Sequence, residues 1–232
     1  MDFNYSTLFE KNTFLIMILS GKICVFTLVL HIFIGVPLAA FMSRKKSILV
    51  DILDFVVVIP IIFPPMVIGF FLLLILGKNG ILGGIIFKTI NVSIIFSFFG
   101  VLIASFVAGF PFMVKSVQSG IESINYSLIE VSYSLGKSRI ETFFRIILPN
   151  IKDNIITGAV LAGGRSLGEV GITLMLGGNI SGRTETVSLA IYNAVFDGEY
   201  KKAFLLSIFL SLISFSLFMS IKHFSNKEVR VI

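Results

Sequence analysis

The sequence is poor in charged residues and contains a single cysteine. Charged side chains make up 14% of its 232 residues, whereas soluble domains carry about 25%. One thiol, Cys24, cannot form a disulfide framework, and the two histidines, His31 and His223, lie too far apart to suggest a metal site. These shortages exclude a disulfide-stabilised scaffold and a clustered metal centre, and they leave Cys24 and His31 as packing residues.

Apolar residues are correspondingly abundant. Hydrophobic residues account for 56% of the chain, and its mean hydropathy is +0.99. A chain this short has too little interior to bury so many apolar side chains in water, so we place it in a membrane. The net charge of +6 fits the excess of lysine and arginine in cytoplasmic loops. Nucleic-acid binding is excluded because no basic stretch is interleaved with exposed aromatic residues.

Five stretches are apolar enough to cross a bilayer, which takes about 20 residues. The predicted crossings are residues 23–42, 50–76, 92–114, 155–176 and 203–221. The apolar residues before Lys22 are predicted to lie at the membrane interface. Pro64 and Pro65 fall inside the second crossing, either in a helix packed within a bundle or at a simple kink. The predicted fold is all-α: one polytopic membrane helical bundle over residues 1–232, with about five transmembrane helices and no second domain.

Lysine and arginine are divided unequally between the two sides of this bundle. One side holds 11 of them, including residues 44–46 and those of the polar segment 115–154, and the other side holds six. Basic residues concentrate in cytoplasmic loops. We therefore expect a multi-pass protein of the plasma membrane with its N-terminus outside and its C-terminus in the cytoplasm.

Residues 115–154 form the one long polar segment, and they are predicted to contain two short helices. Asn125 or Ser127 can cap the first helix, and Gly136 ends it, as a glycine after the last helical turn often does. Ser138 can cap the second helix, because Glu141 follows it at the spacing of a capping box, and Pro149 is predicted to follow the end of that helix. Two amphipathic helices joined at a glycine suit either a knob that docks on another protein or a hairpin lying on the membrane surface.

The same segment resembles the coupling motif of ABC importer permeases, which reads Glu-Ala-Ala, three residues, Gly, nine residues, Ile-x-Leu-Pro. The matching positions are Glu130, Gly136, Ile146, Leu148 and Pro149. Val131 and Ser132 stand where the motif has two alanines. The motif covers about 20 residues and lies in the predicted last large cytoplasmic loop, where these permeases carry it.

The resemblance implies that the segment inserts into a cleft on a separate ATPase subunit, with Glu130 and Gly136 shaping the knob. It also implies a homodimer of the chain, two ATP-binding subunits that hold ATP and Mg²⁺, and an extracytoplasmic oxyanion-binding protein. No cofactor, metal or enzymatic activity is expected on this chain itself. Gly136-Lys137-Ser138 is not the end of a phosphate-binding loop, because Val131 stands where such a loop needs glycine.

Most of the chain resembles the molybdate permeases in particular. The similarity lies in residues 20–22, 60–69, 164–171, 178–180, 183–186 and 189–192, the last two in an outer loop after the fourth crossing. Val170 departs from the family, which more often has phenylalanine there. Tungstate and sulfate permeases share parts of the pattern, although sulfate permeases are usually longer. The resemblance implies ATP-driven import of a tetrahedral oxyanion, most closely molybdate, by alternating access.

Two ionisable residues, Arg165 and Glu169, fall inside or at the edge of the fourth crossing, where a charge suggests a functional site. Their i, i+4 spacing puts them on one helix face. They form either a structural ion pair or part of the anion pathway, in which Arg165 draws the anion in and Glu169 helps to close the path. With Thr173 they are the predicted pathway or gate residues. Gly164 and Gly168 have the GxxxG spacing that gives minor support to a dimer interface.

Asn179, Arg183 and Thr184 follow the fourth crossing on the outer side. They are predicted to contact the binding protein, although each could also belong to a solvated loop. The alternative class is a stand-alone secondary carrier or channel; such carriers often contain internal repeats, and none is visible in this sequence. A membrane-embedded enzyme would need clustered acids, histidines or a nucleophile beside a base, and none is apparent.

Overall fold

The computed structural model describes residues 11–43 and 47–225, and every regular element within them is helical. The helices are α1 (Lys11–Leu30), α2 (Val36–Met42), α3 (Ile48–Ile62), α4 (Pro65–Leu76), α5 (Ile81–Ile90), α6 (Phe98–Ser123), α7 (Tyr126–Ser134), α8 (Arg139–Thr142), α9 (Leu148–Asn150), α10 (Lys152–Leu167), α11 (Gly171–Gly177), α12 (Val187–Phe196) and α13 (Tyr200–Ser225). Two π-helical turns, His31–Gly35 and Phe143–Ile147, connect α1 to α2 and α8 to α9. Residues 44–46, Lys227 and Arg230, which entered the prediction of orientation, lie outside the described residues.

The first helix is continuous from Asn12 to Met42. The residues before Lys22 extend this helix, because nothing in their sequence breaks it, and their place at the membrane interface stays a prediction. Ile16 packs in a buried cluster with Val187 of α12 and Leu206 of α13. Other helices of this chain thus cover part of this extension.

The predicted second crossing is two helices separated at Pro64. Phe63 and Pro64 are extended, with ψ of 147° and 135°, because a residue that precedes proline is pushed out of the helical region. α3 therefore ends at Ile62, and α4 starts at Pro65, where a missing N–H costs no helical hydrogen bond. Pro60 stays inside α3. A single proline, Pro60, therefore does not interrupt α3, whereas the two consecutive prolines at 64 and 65 end it.

α6 is the central helix, and it begins and ends later than the sequence predicted. Residues 92–97 are not helical, and Phe96 there has a left-handed backbone with φ of 57°. The helix continues to Ser123, nine residues beyond its predicted end. Val114 packs in a cluster with α2 and α3, and Ala108 packs in a second cluster with α4 and α11. α6 therefore joins the two halves of the bundle.

Three helices are long and apolar enough to cross a membrane alone: Asn12–Met42, Phe98–Ser123 and Tyr200–Met219. Two bent pairs, Pro65–Leu76 with Ile81–Ile90 and Lys152–Leu167 with Gly171–Gly177, raise the number to five when each pair counts as one span. The fourth crossing, predicted as continuous, is bent by 61°. The fold class is as predicted, an all-α polytopic membrane bundle.

α6 and α10 approach each other closely at Gly109. A Cβ added there would lie 2.5 Å from the carbonyl oxygen of Ala162 and would also collide with Ser166. Ser166 Oγ donates a hydrogen bond to a carbonyl oxygen of α6 at 2.7 Å, and His31 Nε2 donates to another at 2.9 Å. Ser166 and His31 thus hold α10 and the π-helical turn after α1 against α6, close to Gly109.

We expect Gly109→Ala to destabilise the chain, because overpacking against a fixed carbonyl costs about 1–3 kcal/mol or more. Gly21→Ala is the matched control: Gly21 also lies within a helix, but a Cβ there meets nothing within 4 Å. Alanine should stabilise that helix by up to about 1 kcal/mol. Thermal unfolding of both variants in detergent measures the difference. Equal melting temperatures would contradict the close approach.

Candidate functional site

Both short helices of the predicted coupling segment begin at the residues that the sequence indicated. Asn125 caps α7, since its Oδ1 accepts a hydrogen bond from the backbone N–H of Ser127 at 3.1 Å. Ser138 caps α8, since its Oγ accepts from the backbone N–H of Glu141 at 3.2 Å. Polar side chains that accept from the first free N–H groups stabilise a helix start. The ends of these helices are therefore fixed locally.

Gly136 terminates α7 in a Schellman motif. The N–H of Gly136 donates to the carbonyl oxygen of Tyr133 at 2.9 Å, and the N–H of Lys137 donates to that of Ser132 at 3.1 Å, which is the bond pair that defines this motif. Gly136 has φ of 75°, a conformation that side-chain-bearing residues rarely adopt. A Cβ there would meet no atom within 4 Å. The glycine is thus needed for its backbone conformation and not for space.

Glu141 is the centre of a small charge cluster at the start of α8. Lys137 Nζ lies 2.7 Å from its carboxylate, and Arg145 lies 3.2 Å from the same oxygen. The hydrogen bond from Lys137 lowers the pKa of Glu141, and the charges of Lys137 and Arg145 act in the same direction. The carboxylate therefore stays ionised at neutral pH, and its ion pair holds the Lys137 side chain at the start of α8.

The second helix of the segment is longer than predicted. α8 continues through the π-helical turn into α9, so Pro149 lies within the helical stretch and does not follow its end. Proline is tolerated here because it stands at the second position of α9, after a π-helical turn has already altered the hydrogen-bond pattern. Leu148 and Ile147 pack against the cluster that α6 shares with α2 and α3. The segment is therefore anchored in the bundle at this end.

A buried hydrogen bond joins the two short helices. Ser132 Oγ and Thr142 Oγ1 lie 2.8 Å apart, and both side chains are buried. Sequence reasoning treated Ser132 only as a small replacement for alanine and did not consider Thr142. The two residues are ten positions apart on different helices, so only their shared polarity in an amphipathic segment could have indicated the contact. The bond makes α7 and α8 one structural unit.

The rest of this unit presents an uncovered apolar face. The exposed apolar side chains are Leu128, Val131, Leu135, Ile140 and Phe144. Glu130 and Pro149 are also exposed, whereas Ile146 and Leu148 are half-buried. Exposed apolar surface beside polar residues marks an interaction surface. The motif residues thus divide into an exposed face and an anchor.

The second candidate site lies at the break between α10 and α11. Arg165 Nη1 is 2.7 Å from Glu169 Oε2, and the Glu169 side chain is 1% exposed while that of Arg165 is 32% exposed. The other carboxylate oxygen, Oε1, accepts from the backbone N–H of Ile172 at 2.7 Å. Glu169 therefore forms the predicted ion pair and also caps α11. The cap was not predicted, because no local signal indicates that a helix restarts at Gly171.

The break before α11 lies against the break before α4. A Cβ on Gly171 would lie 2.9 Å from Cβ of Pro65, so the start of α11 abuts the start of α4. One turn further, a Cβ on Gly69 would lie 3.1 Å from Cα of Ile172. Thr173 is also buried here, and its Oγ1 has no hydrogen-bond partner among the described residues. Arg165, Glu169 and Thr173 thus belong to one region centred on discontinuous helices.

The predicted outer loop is partly helical, because residues 189–192 lie in α12, which Thr186 caps. Thr184 is fully buried, and its Oγ1 donates to the carbonyl oxygen of Gly177 at 2.7 Å. Its side chain is therefore not available to a partner in this conformation. Asn179 is half-buried and shares two hydrogen bonds with Asn193, a residue that sequence reasoning missed. Of the three predicted contact residues, only Arg183 is exposed.

A membrane-embedded bundle with broken helices beside a buried ion pair, and with an exposed amphipathic helical unit at one end, has the architecture of a transport component. Residues 32–230 match the family of binding-protein-dependent transport system inner membrane components. The chain belongs to this family. It is thus a membrane transport subunit, as the sequence predicted, and its relatives below are permeases and not enzymes.

Permeases from several bacteria are similar over most of the chain. The probable transport system permease protein NifC of Clostridium pasteurianum is 36% identical over 217 residues, covering 93% of this chain and 75% of that protein. The molybdenum transport system permease protein ModB of Azotobacter vinelandii is 34% identical over 198 residues, covering 84% and 88%. ModB of Escherichia coli strain K12 is 36% identical over 171 residues, covering 73% and 75%. These similarities confirm the predicted permease family.

Solved structures confirm the fold. A bacterial ABC transporter that imports the acidic polysaccharide alginate matches with a TM-score of 0.77 and 18% identity, covering 97% of this chain and 83% of that one. The same type of transporter in complex with a periplasmic protein bound to alginate pentasaccharide matches with a TM-score of 0.78 and 18% identity, covering 99% and 84%. At this identity the likeness concerns the arrangement of the helices.

Proposed function

We propose that the chain is the permease subunit of an ATP-driven importer for molybdate. The observation that carries this proposal is the identity of 34–36% with permeases named for molybdenum transport, over 73–84% of this chain. Tungstate and sulfate are the competing substrates, because both are tetrahedral dianions like molybdate. The uncovered face on α7 and α8 favours an ATP-driven importer over a stand-alone carrier.

The uncovered face would receive the ATPase. Two copies of the chain would form the pathway, and two ATP-binding subunits, which hold ATP and Mg²⁺, would each receive one α7–α8 unit. The hydrogen bond between Ser132 and Thr142 supports this role, because a rigid unit can transmit a movement of the ATPase to the membrane helices. Leu148 would pass the motion on to α6 through their shared cluster and so drive alternating access.

Arg165 would act in the anion pathway. Its guanidinium is held by Glu169 yet is about one-third exposed. An arginine inside a membrane bundle faces other helices or a water-filled cavity and avoids lipid. The pathway between two copies of the chain provides such a cavity. Glu169, which holds both Arg165 and the start of α11, would then link anion binding to the geometry of the helix break.

The orientation follows from the distribution of basic residues. With 11 lysines and arginines on the side of the α7–α8 unit and six on the other, the α7–α8 unit would face the cytoplasm, where ATP is available. Arg183 and Asn179 would then lie on the outer side and contact the binding protein that delivers the anion. The N-terminus would lie outside and the C-terminus inside.

Reconstitution tests this proposal. The chain is co-expressed with a candidate ATPase and a candidate binding protein from the same genome, and the purified complex is placed in liposomes with ATP inside or outside. We expect ATP-dependent molybdate uptake that requires the binding protein. Isothermal titration of that binding protein with molybdate, tungstate and sulfate identifies the substrate. Flux carried by the purified chain alone, or binding only of sulfate, would contradict the proposal.

A further inference from the structure

A small cavity opens between the first helix, the start of α6 and the loop before α12. Its volume is about 200 Å³, and two cationic side chains, Lys22 and Arg183, line it together with the carboxylate of Glu185. Five of its nine lining residues are apolar, among them Leu15 and Phe98. The cavity therefore combines a positive pole with an apolar wall.

The two cations are free to bind a ligand. Lys22 and Arg183 are both exposed, and neither has an ion-pair partner among residues 11–43 and 47–225. Glu185 forms an ion pair with neither of them; it is 9% exposed, its Oε1 accepts a hydrogen bond from Asn193 at 2.8 Å, and its charge offsets only one of the two positive charges. Two unpaired cations beside one engaged carboxylate attract an anion.

The position of Lys22 along the helix places this cavity at the membrane surface. Lys22 precedes Met42 by 20 residues of continuous helix, which at 1.5 Å per residue is about 30 Å. The hydrocarbon core of a bilayer is also about 30 Å thick. The first helix ends at Met42, so a bilayer whose one headgroup level lies at Met42 has Lys22 at the opposite headgroup level.

We propose that, when the binding protein is not docked, Lys22 and Arg183 bind the phosphate group of a membrane phospholipid whose acyl chains run from the cavity toward Met42, past Val25 and Phe26. Guanidinium and ammonium groups are the side chains that bind phosphate oxygens most strongly. The neighbours of Lys22 on the same helix, Val25 and Phe26, are 62% and 51% exposed, as a surface covered by acyl chains would be. A free tetrahedral oxyanion offers the same charge but leaves this apolar surface uncovered.

Native mass spectrometry of the full-length chain, purified from membranes in its assembled transporter, tests this site. The complex is exchanged into detergent with a defined mixture of phosphatidylethanolamine and phosphatidylglycerol, and the bound lipid per chain is counted. We expect Lys22→Gln and Arg183→Gln each to lower phospholipid retention about tenfold, the factor that a loss of about 1.4 kcal/mol produces. Lys22→Arg should retain the lipid, because it keeps the charge.

Lys88→Gln is the matched control, since Lys88 is another exposed lysine near the end of an apolar helix but lies outside the cavity, and it should not change retention. A separate arm adds millimolar molybdate or inorganic phosphate. Displacement of the lipid by either ion, or retention of radioactive molybdate that depends on Lys22 and Arg183, would assign the cavity to the free anion and overturn the proposal. Equal lipid retention in Lys22→Gln and Lys88→Gln would also overturn it.

Discussion

Replacing Gly136 by proline is expected to abolish transport and to release the ATPase from the complex. Proline fixes φ near −65°, whereas Gly136 has φ of 75°, and it also removes the N–H that bonds to Tyr133. The Schellman turn is then lost, and α7 and α8 no longer form the unit that presents the uncovered face. Co-purification of a tagged ATPase and ATP-dependent molybdate uptake measure the result. We expect both to fall at least about tenfold, a factor that corresponds to about 1.4 kcal/mol.

Gly198 supplies a closely matched control. It ends α12 with φ of 76° and has nothing within 4 Å of an added Cβ. Its N–H bonds to the carbonyl oxygen of Val195, and the N–H of Glu199 bonds to that of Ala194, which is the same Schellman pattern. Gly198→Pro therefore breaks an equivalent turn outside the uncovered face of the α7–α8 unit. Loss of the ATPase in both variants would show general misfolding and would count against a specific docking role for the α7–α8 unit.

A double-mutant cycle on Arg165 and Glu169 is expected to separate structure from transport. Removing one member of a buried ion pair destabilises a protein by about 3–5 kcal/mol, and the effect should be smaller here because Arg165 is 32% exposed. Glu169→Gln keeps an oxygen that can accept from Ile172 but leaves Arg165 without its partner. Arg165→Gln leaves the buried carboxylate of Glu169 without its cation. We expect both single variants to lower the melting temperature.

The double variant Arg165→Gln/Glu169→Gln contains no unpaired charge, so its melting temperature should recover toward that of the parent chain. If Arg165 draws the anion, molybdate uptake by this stable double variant stays at least about tenfold below that of the parent. Uptake that recovers together with the melting temperature would identify a structural pair instead. Thermal unfolding and uptake are measured on the same reconstituted samples.

Features set by neighbouring residues were predictable from the sequence. Gly136 and Ser138 were placed correctly because turns and caps depend on groups within five positions along the chain. The apolar runs located the membrane helices because a span needs only length and composition. Where two local rules competed, as at Pro64 and Pro65, the sequence allowed either a packed helix or a kink, and the structure has a complete break.

Features that depend on distant residues were missed. The cap that Glu169 provides could not be inferred, since Arg165 accounts for its charge and no local sequence signal marks the restart at Gly171. The bond between Ser132 and Thr142 requires two helices to fold against each other. The short helix α12 was read as part of a loop, because a helix of 10 residues is too short to cross a bilayer, and its packing with α1 and α13 depends on distant parts of the chain.

α4 and α11 meet at their first residues, Pro65 and Gly171. Each residue starts a helix after a break, and Gly171, which has no side chain, lets the Pro65 ring lie directly against its backbone. When one of these helices swings, the other is displaced with it, and the Glu169 carboxylate that holds α11 is displaced too. We therefore expect α4 and α11 to move together, so that a tilt imposed at one end of the bundle displaces both helices.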